Sequence, residues 1–196
     1  MTEYNRRAFL GVATAGLTTR AAFAAATADS ANRRVLIAYA TRCGSTFEIA
    51  QTMLQDLKGR GFAGDVSAAG KVTTLSGYDA VVVGSAVRFG KWLPEAVDFV
   101  RRYRAELNRM PTAFFTVHMM NTGGDEASRK ARMAYVDPAR ALVRPVGEVF
   151  FAGKMDSSRL SFGERLLCKV MKARDADQRD WGAIHGWGKS VFAVRS

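Results

Sequence analysis

The stretch AYATRCGSTFEIA, residues Ala38 to Ala50, is where the fold can be read. Upstream of it, RRVLIAYA holds an almost continuously apolar run, Val35 to Ala40, of the kind that a parallel strand covered on both faces requires. Downstream, Ile49, Ala50, Met53, Leu54 and Leu57 recur at helical spacing, and Gly59 and Gly61 mark the helix end. Between the two, Thr41, Arg42, Cys43, Gly44, Ser45 and Thr46 bring three hydroxyls, a glycine and a row of backbone N–H groups to a helix N-terminus. That combination suits an anion, and phosphate fits it. Ser45 is also placed to cap the helix, with Glu48 three residues on completing a capping box. A cap alone leaves Thr41, Gly44 and Thr46 unexplained. The loop matches neither G-x-G-x-x-G nor G-x-x-x-x-G-K-S/T, so neither a dinucleotide fingerprint nor a triphosphate loop is indicated.

The pattern of strand, turn and helix repeats along the chain. FAGDVSAA (62–69) predicts a weaker second strand and YDAVVVGSA (78–86) a strong third one. Leu93 and Pro94 open a helix with Ala96, Val100, Tyr103 and Leu107 on one face. PTAFFTVHM (111–119) predicts a fourth strand, DEASRKARMAYVDPARAL (125–142) a helix or pair of helices, VGEVFFAGKM (146–155) a fifth strand and WGAIHGWGKSVFAV (181–194) a last helix. Strands alternating with helices over one domain's length argue for an α/β protein with a parallel sheet and helices on both faces. Ligands of such sheets bind beyond the carboxyl ends of the strands, where the winding reverses.

The first 26 residues read as an address label outside this pattern. Arg6 and Arg7 precede Phe9 and Leu10, a mildly apolar run follows, and Ala22 to Ala26 offer small-residue cleavage sites. The segment resembles a twin-arginine export signal, which implies a periplasmic or other extracytoplasmic protein that folds before export. Two glycines, several threonines and Arg20 interrupt the run, so it falls short of the roughly 20 apolar residues of a membrane span. The segment carries a net +2 (Glu3 against Arg6, Arg7 and Arg20), leaving +9 of the chain's formal +11. A basic surface invites nucleic acid, an anionic membrane or an acidic small molecule. No nucleic-acid motif accompanies the charge, and nucleic acid ranks last. Cys43 and Cys168 read as two unpaired thiols, the only histidines are His118 and His185, and no cluster of these four has metal-ligand spacing. The sequence does not speak to oligomeric state.

The loop TRCGST resembles that of the flavodoxin superfamily, whose first strand leads into a Thr/Ser-x-Thr-Gly-x-Thr type loop around the phosphate of FMN. Within it the chain is most similar to the menaquinone-dependent protoporphyrinogen dehydrogenase family. The likeness is carried by TRCGST, by SAVRFGKW after the third strand, by RMPTAFFTVHM at the fourth, and by FAGKMDSSRLSFGERLLCKVMKA after the fifth. It implies a flavodoxin-like doubly wound domain over residues 33–196, with a five-stranded parallel sheet in the order 2-1-3-4-5 and bound FMN. It also implies flavin contacts on Ser85, Ala86, Val87, Arg88, Phe89 and Gly90 and near His118 and Asn121. Two-electron transfer linked to a quinone, with a small-molecule donor, follows from the same likeness. The stretch after the fifth strand is shorter than the family's, and the export signal has no counterpart there.

Arg88 and Lys91 are cations in a segment without a carboxylate, and charge of that sign favours full reduction of a flavin, unless solvent screens it. Arg88 and His118 are the catalytic candidates. Histidine titrates in the working range, which suits a proton relay. Phe89 and Trp92 are candidates to stack on the ring, or core residues. Leu160, Phe162, Leu166, Leu167, Val170 and Met171 form an apolar stripe flanked by Arg159, Arg165, Lys169, Lys172 and Arg174, within a basic amphipathic insertion at about 155–176. Such a helix either packs on the sheet or lies on a membrane surface. The competing function class is an exported flavodoxin-like electron carrier with a protein redox partner.

Overall fold

The computed structural model describes residues 33–156, 158 and 176–193; the N-terminal segment that resembles an export signal and most of the stretch expected as an insertion at 155–176 lie outside the described residues. The chain opens with strand β1 (Arg34–Ala40), helix α1 (Ser45–Gly59) and strand β2 (Ala63–Ala68). Strand β3 (Ala80–Arg88) turns into a short β4 (Lys91–Trp92), followed by α2 (Pro94–Arg102) and α3 (Arg104–Leu107). Then come β5 (Thr112–His118), α4 (Glu126–Ala134), α5 (Asp137–Arg140), β6 (Gly147–Ala152), β7 (Lys154–Met155), β8 (Ala176–Asp177) and α6 (Trp181–Ser190).

Five strands pair in parallel in the order β2-β1-β3-β5-β6, the doubly wound order expected. Strand period explains how each apolar run serves two cores at once. Val35 and Ile37 of β1, Val82 of β3 and Phe115 and Val117 of β5 point to the side covered by α1 and α6, with Ile49, Met53, Leu57 and Ile184. Leu36 and Ala38, Val81 and Val83, and Phe114 point to the other side, with Trp92, Ala96, Phe99 and Val100. Fully buried apolar side chains of this size contribute about 1.5–3 kcal/mol each, so the runs themselves hold the sheet between its helix layers.

Three local departures from the expected elements matter for the site. SAVRFGKW is a hairpin: β4 pairs antiparallel with β3, Val87 opposite Trp92 and Arg88 opposite Lys91, adding a sixth strand to the sheet. Its two turn residues, Phe89 (φ 51°) and Gly90 (φ 70°), both take positive φ, as a two-residue type I′ turn demands. The helix after Pro94 breaks at Tyr103, whose hydroxyl donates to Val72 O at 3.1 Å and so ties the helix end to the loop after β2. The fifth parallel strand ends at Ala152. Gly153 N donates to His118 O at 2.8 Å, and β7 then leaves the sheet to pair antiparallel with β8. This two-stranded clamp is the neck from which the basic insertion departs.

Candidate functional site

The carboxyl ends of β1, β3 and β5 bring the three predicted loops to one edge of the sheet. In the first loop Gly44 has φ 87°, a conformation that L side chains adopt only with strain, and its N–H donates to Thr41 Oγ1 at 3.0 Å. Thr41 keeps its own hydroxyl proton for another acceptor. The helix cap corrects one expectation: Gly44, not Ser45, is the N-cap, and no side chain caps the helix. Ser45 is already the first helical residue, and Glu48 does not close a capping box, since Arg179 holds its carboxylate. The first helical bond runs from Glu48 N to Gly44 O at 3.1 Å, so the N–H groups of Ser45, Thr46 and Phe47 have no intrahelical acceptor. Thr46 is 0 % exposed, and its Oγ1 has no hydrogen-bond partner among the described residues. A buried hydroxyl left unpaired costs about 1–3 kcal/mol. N–H groups without an intrahelical acceptor, a spare Thr41 proton and the Thr46 hydroxyl are donors of the kind that a multivalent oxyanion requires.

Arg42 Nη2 lies 2.7 Å from Glu95 Oε1 in the first turn of α2, which locks the loop to the neighbouring helix. Cys43 Sγ sits 3.8 Å from Met155 Sδ on β7, a packing contact between the loop and the clamp.

The second loop separates the aromatic candidates. Trp92 is buried, donates from Nε1 to Thr116 Oγ1 at 2.8 Å and lies edge-on to Phe114, so it is core. Ser85 Oγ, also buried, donates to Ala86 O at 2.8 Å and accepts from Leu93 N at 2.9 Å. Both bonds are internal, and Ser85 shapes the hairpin from within. Phe89 is the opposite: 73 % exposed, held at positive φ, with the Arg88 guanidinium 5.1 Å from its ring centroid. A bulky residue accepts such a backbone only where the surrounding structure imposes it. Ala86 and Val87 are half-buried behind it, while Arg88 and Lys91 are exposed, where salt screens most of their charge.

At the end of β5, His118 is 5 % exposed and its Nδ1 lies 2.7 Å from Met120 O, so Nδ1 carries the hydrogen and Nε2 the lone pair. Burial lowers its pKa below the ordinary value; Met120 O pulls the other way, and Arg132 adds to the lowering. His118 is therefore neutral near pH 7. Asn121 takes φ 58° and gives its amide to the Tyr135 hydroxyl, while the Arg132 guanidinium binds Asn121 O and, at 2.6 Å, Gly123 O. Asp125 caps α4 by accepting from Ser128 N at 2.8 Å. A cavity of about 480 Å³ opens beside this loop, lined by His118, Thr122, Arg132, Met133 and Phe150 among others. His118 and Asn121, expected from the sequence, lie together in this loop, where the structure adds Arg132 and Tyr135; it also places Arg179 beside Glu48. Arg132 acts through the carbonyls of Asn121 and Gly123, Tyr135 through the Asn121 amide and Arg179 through the Glu48 carboxylate, relations that no local motif records.

Comparison with known proteins gives this geometry its relatives. The family profile described as "Flavodoxin domain" matches residues 36–181. The chain is 34% identical over 170 residues to the protoporphyrinogen IX dehydrogenase (quinone) of Escherichia coli strain K12, covering 81% of this chain and 94% of that protein. It is 24% identical over 181 residues to the protein of the same name from Leishmania major, covering 84% and 77%. Among solved structures, the two-electron reduced flavodoxin of Megasphaera elsdenii superposes with a TM-score of 0.50 at 12% identity, covering 80% of this chain and 97% of that one. At that identity the likeness speaks for the fold alone.

Proposed function

Because this chain belongs to the flavodoxin-domain family, we propose that it is an FMN-dependent oxidoreductase that passes two electrons between a small-molecule donor and a quinone. The buried, unpaired Thr46 hydroxyl carries the cofactor assignment: it is a loss that a phosphate acceptor would recover. Thr41, Ser45 and Thr46 hydroxyls with the open N–H groups of α1 would hold the phosphate, and Phe89 and the loop at Asn121 would flank the ring. FMN, once bound, supplies reversible electron acceptance. The chain supplies a neutral imidazole whose Nε2 can take a proton from the donor, while the exposed Arg88 and Lys91 add a salt-screened positive charge on the hairpin. The 34% identity to a protein named for a quinone supports a quinone as partner.

The test is anaerobic titration of the full-length chain loaded with FMN. One flavin retained per chain, reduced in a single two-electron step and reoxidised by a soluble naphthoquinone, is the expected result. A chain that retains no flavin refutes the assignment.

A second reading, an exported electron carrier with a protein partner, is favoured by Arg6, Arg7, Phe9 and Leu10 at the head of the chain. The same residues support a periplasmic location, and the basic stripe within 155–176 supports peripheral attachment to an anionic membrane. Replacing Arg6 and Arg7 together by lysine is expected to move the protein from the periplasmic to the cytoplasmic fraction of a twin-arginine-competent bacterium. An unchanged distribution would remove the export reading. Membrane attachment is expected to be lost in a high-salt wash, and a protein that stays on the membrane there is not held by charge.

A further inference from the structure

Arg179 lies 131 positions from Glu48, yet its Nη1 binds Glu48 Oε2 in the first turn of α1. The guanidinium is 6 % exposed and held from three sides. Nε meets Asp177 Oδ1 at 2.8 Å, Nη2 meets Asp177 Oδ2 at 2.6 Å, and the carbon of the guanidinium lies 4.6 Å from the centroid of the Trp181 ring. This fork fixes the plane of the group and leaves Nη1 aimed at Glu48, a geometry that a lysine cannot reproduce. Arg179 in turn keeps the Asp177 carboxyl down at about 2, with Lys154 across the β7–β8 clamp adding to the effect. The ion group is thus built from the neck of the insertion and fastened onto the helix of the oxyanion loop.

Glu48 is an awkward residue to find there. Its carboxylate sits one turn from the place where the phosphate would bind, and like charges at that distance in a partly buried setting oppose each other. Glu48 also lies in the first turn of α1, close to the N–H groups of Ser45, Thr46 and Phe47 that have no intrahelical acceptor. Unrestrained, its carboxylate would compete for the N–H groups that the phosphate needs.

We propose that Arg179 is a positioning residue for the phosphate site, holding the Glu48 carboxylate away from the open end of α1 and offsetting its charge. This rests on the FMN assignment and adds to it a residue from the far end of the chain, joined to the first turn of α1 through Glu48. It predicts an effect on phosphate recognition and none on ring recognition.

Affinities of the full-length chain and of its Arg179→Gln variant for FMN and for riboflavin, which has the same ring and no phosphate, separate the possibilities. The variant is expected to bind FMN about tenfold more weakly and riboflavin within about twofold of the parent. Adding Glu48→Gln to it is expected to restore FMN affinity to within about threefold. Equal losses for both ligands in a folded variant, or no loss for either, would overturn the proposal, as would a double variant as weak as the single one. Should Arg179→Gln fail to fold, Arg179→Lys keeps the charge. Lacking the fork that holds Glu48, it is then expected to bind FMN more weakly than the parent with riboflavin within about twofold, and an unchanged preference for FMN over riboflavin would count against the positioning role. A parent chain that binds neither flavin fails the FMN assignment itself, a result distinct from every outcome for Arg179.

Discussion

Replacing Thr46 with valine is expected to make the cofactor-free protein more stable and its FMN complex weaker. The two side chains share a shape, so the packing of a fully buried position in the first turn of α1 is preserved. What changes is the hydroxyl, which in the free protein has no partner among the described residues. Removing it removes a desolvation loss, a gain of about 1 kcal/mol or a rise of about 2–4 °C in the melting temperature for a chain of this length. With FMN bound, the same change deletes a hydrogen bond to a charged acceptor, worth about 1.5–3 kcal/mol, and the affinity falls about 10- to 100-fold. Thermal melts without cofactor and fluorescence titration with FMN read the two effects separately, and their opposite signs are the diagnostic. A variant that melts lower and binds FMN unchanged would mean that Thr46 is an ordinary core residue.

The parts of the fold that were legible in the sequence are those where one physical demand acts on consecutive residues. Val35 to Ala40 and Ala80 to Val83 are covered on both faces, so each residue in turn must be apolar and the run is visible without any partner. The candidate oxyanion loop stands out in the sequence because its chemistry is local: three hydroxyls and a glycine within six residues. The rest depends on contacts between distant positions. A strand as short as Lys91–Trp92 has no periodicity of its own and exists because Val87 and Arg88 pair with it. Whether Trp92 or Phe89 faces outward is settled by Thr116, which takes the indole N–H into the core and leaves Phe89 at the turn. Ser45 and Glu48 have the spacing of a capping box, but Gly44 takes the cap position and Arg179 takes the carboxylate. The fifth strand looked continuous to Met155 because nothing in VGEVFFAGKM shows that Gly153 turns to bond His118 O and sends the chain toward β8.

Gly84→Ala is expected to be a severely damaging small change in the middle of the sheet. A Cβ built at Gly84 lies 1.9 Å from Phe115 Cζ and 2.0 Å from Cε1, distances that no real Cβ contact shows. Relief by moving the backbone is blocked, because Gly84 pairs with Tyr39 on one side and with Phe115 on the other in the middle of the sheet. Relief by rotating the ring is opposed too, since Phe115 is fully buried and packs against Phe151 at 6.5 Å between centroids. Overpacking of this kind costs about 1–3 kcal/mol where neighbours can yield, and here neither neighbour yields, so a loss of about 3 kcal/mol and a drop of about 6–12 °C in the melting temperature are expected. The clash names its own remedy: in a Phe115→Leu background, the added methyl should cost markedly less than it does against the phenylalanine ring. Gly70→Ala, with nothing within 4 Å of its built Cβ, is the matched control and should leave the melting temperature nearly unchanged. If the two alanines were equally harmless, the close seating of the Phe115 ring over β3 would not be native. The neighbouring Ser85, which holds Leu93 N and with it the hairpin that presents Phe89, would then lack the rigid strand on which the ring side of the site is built.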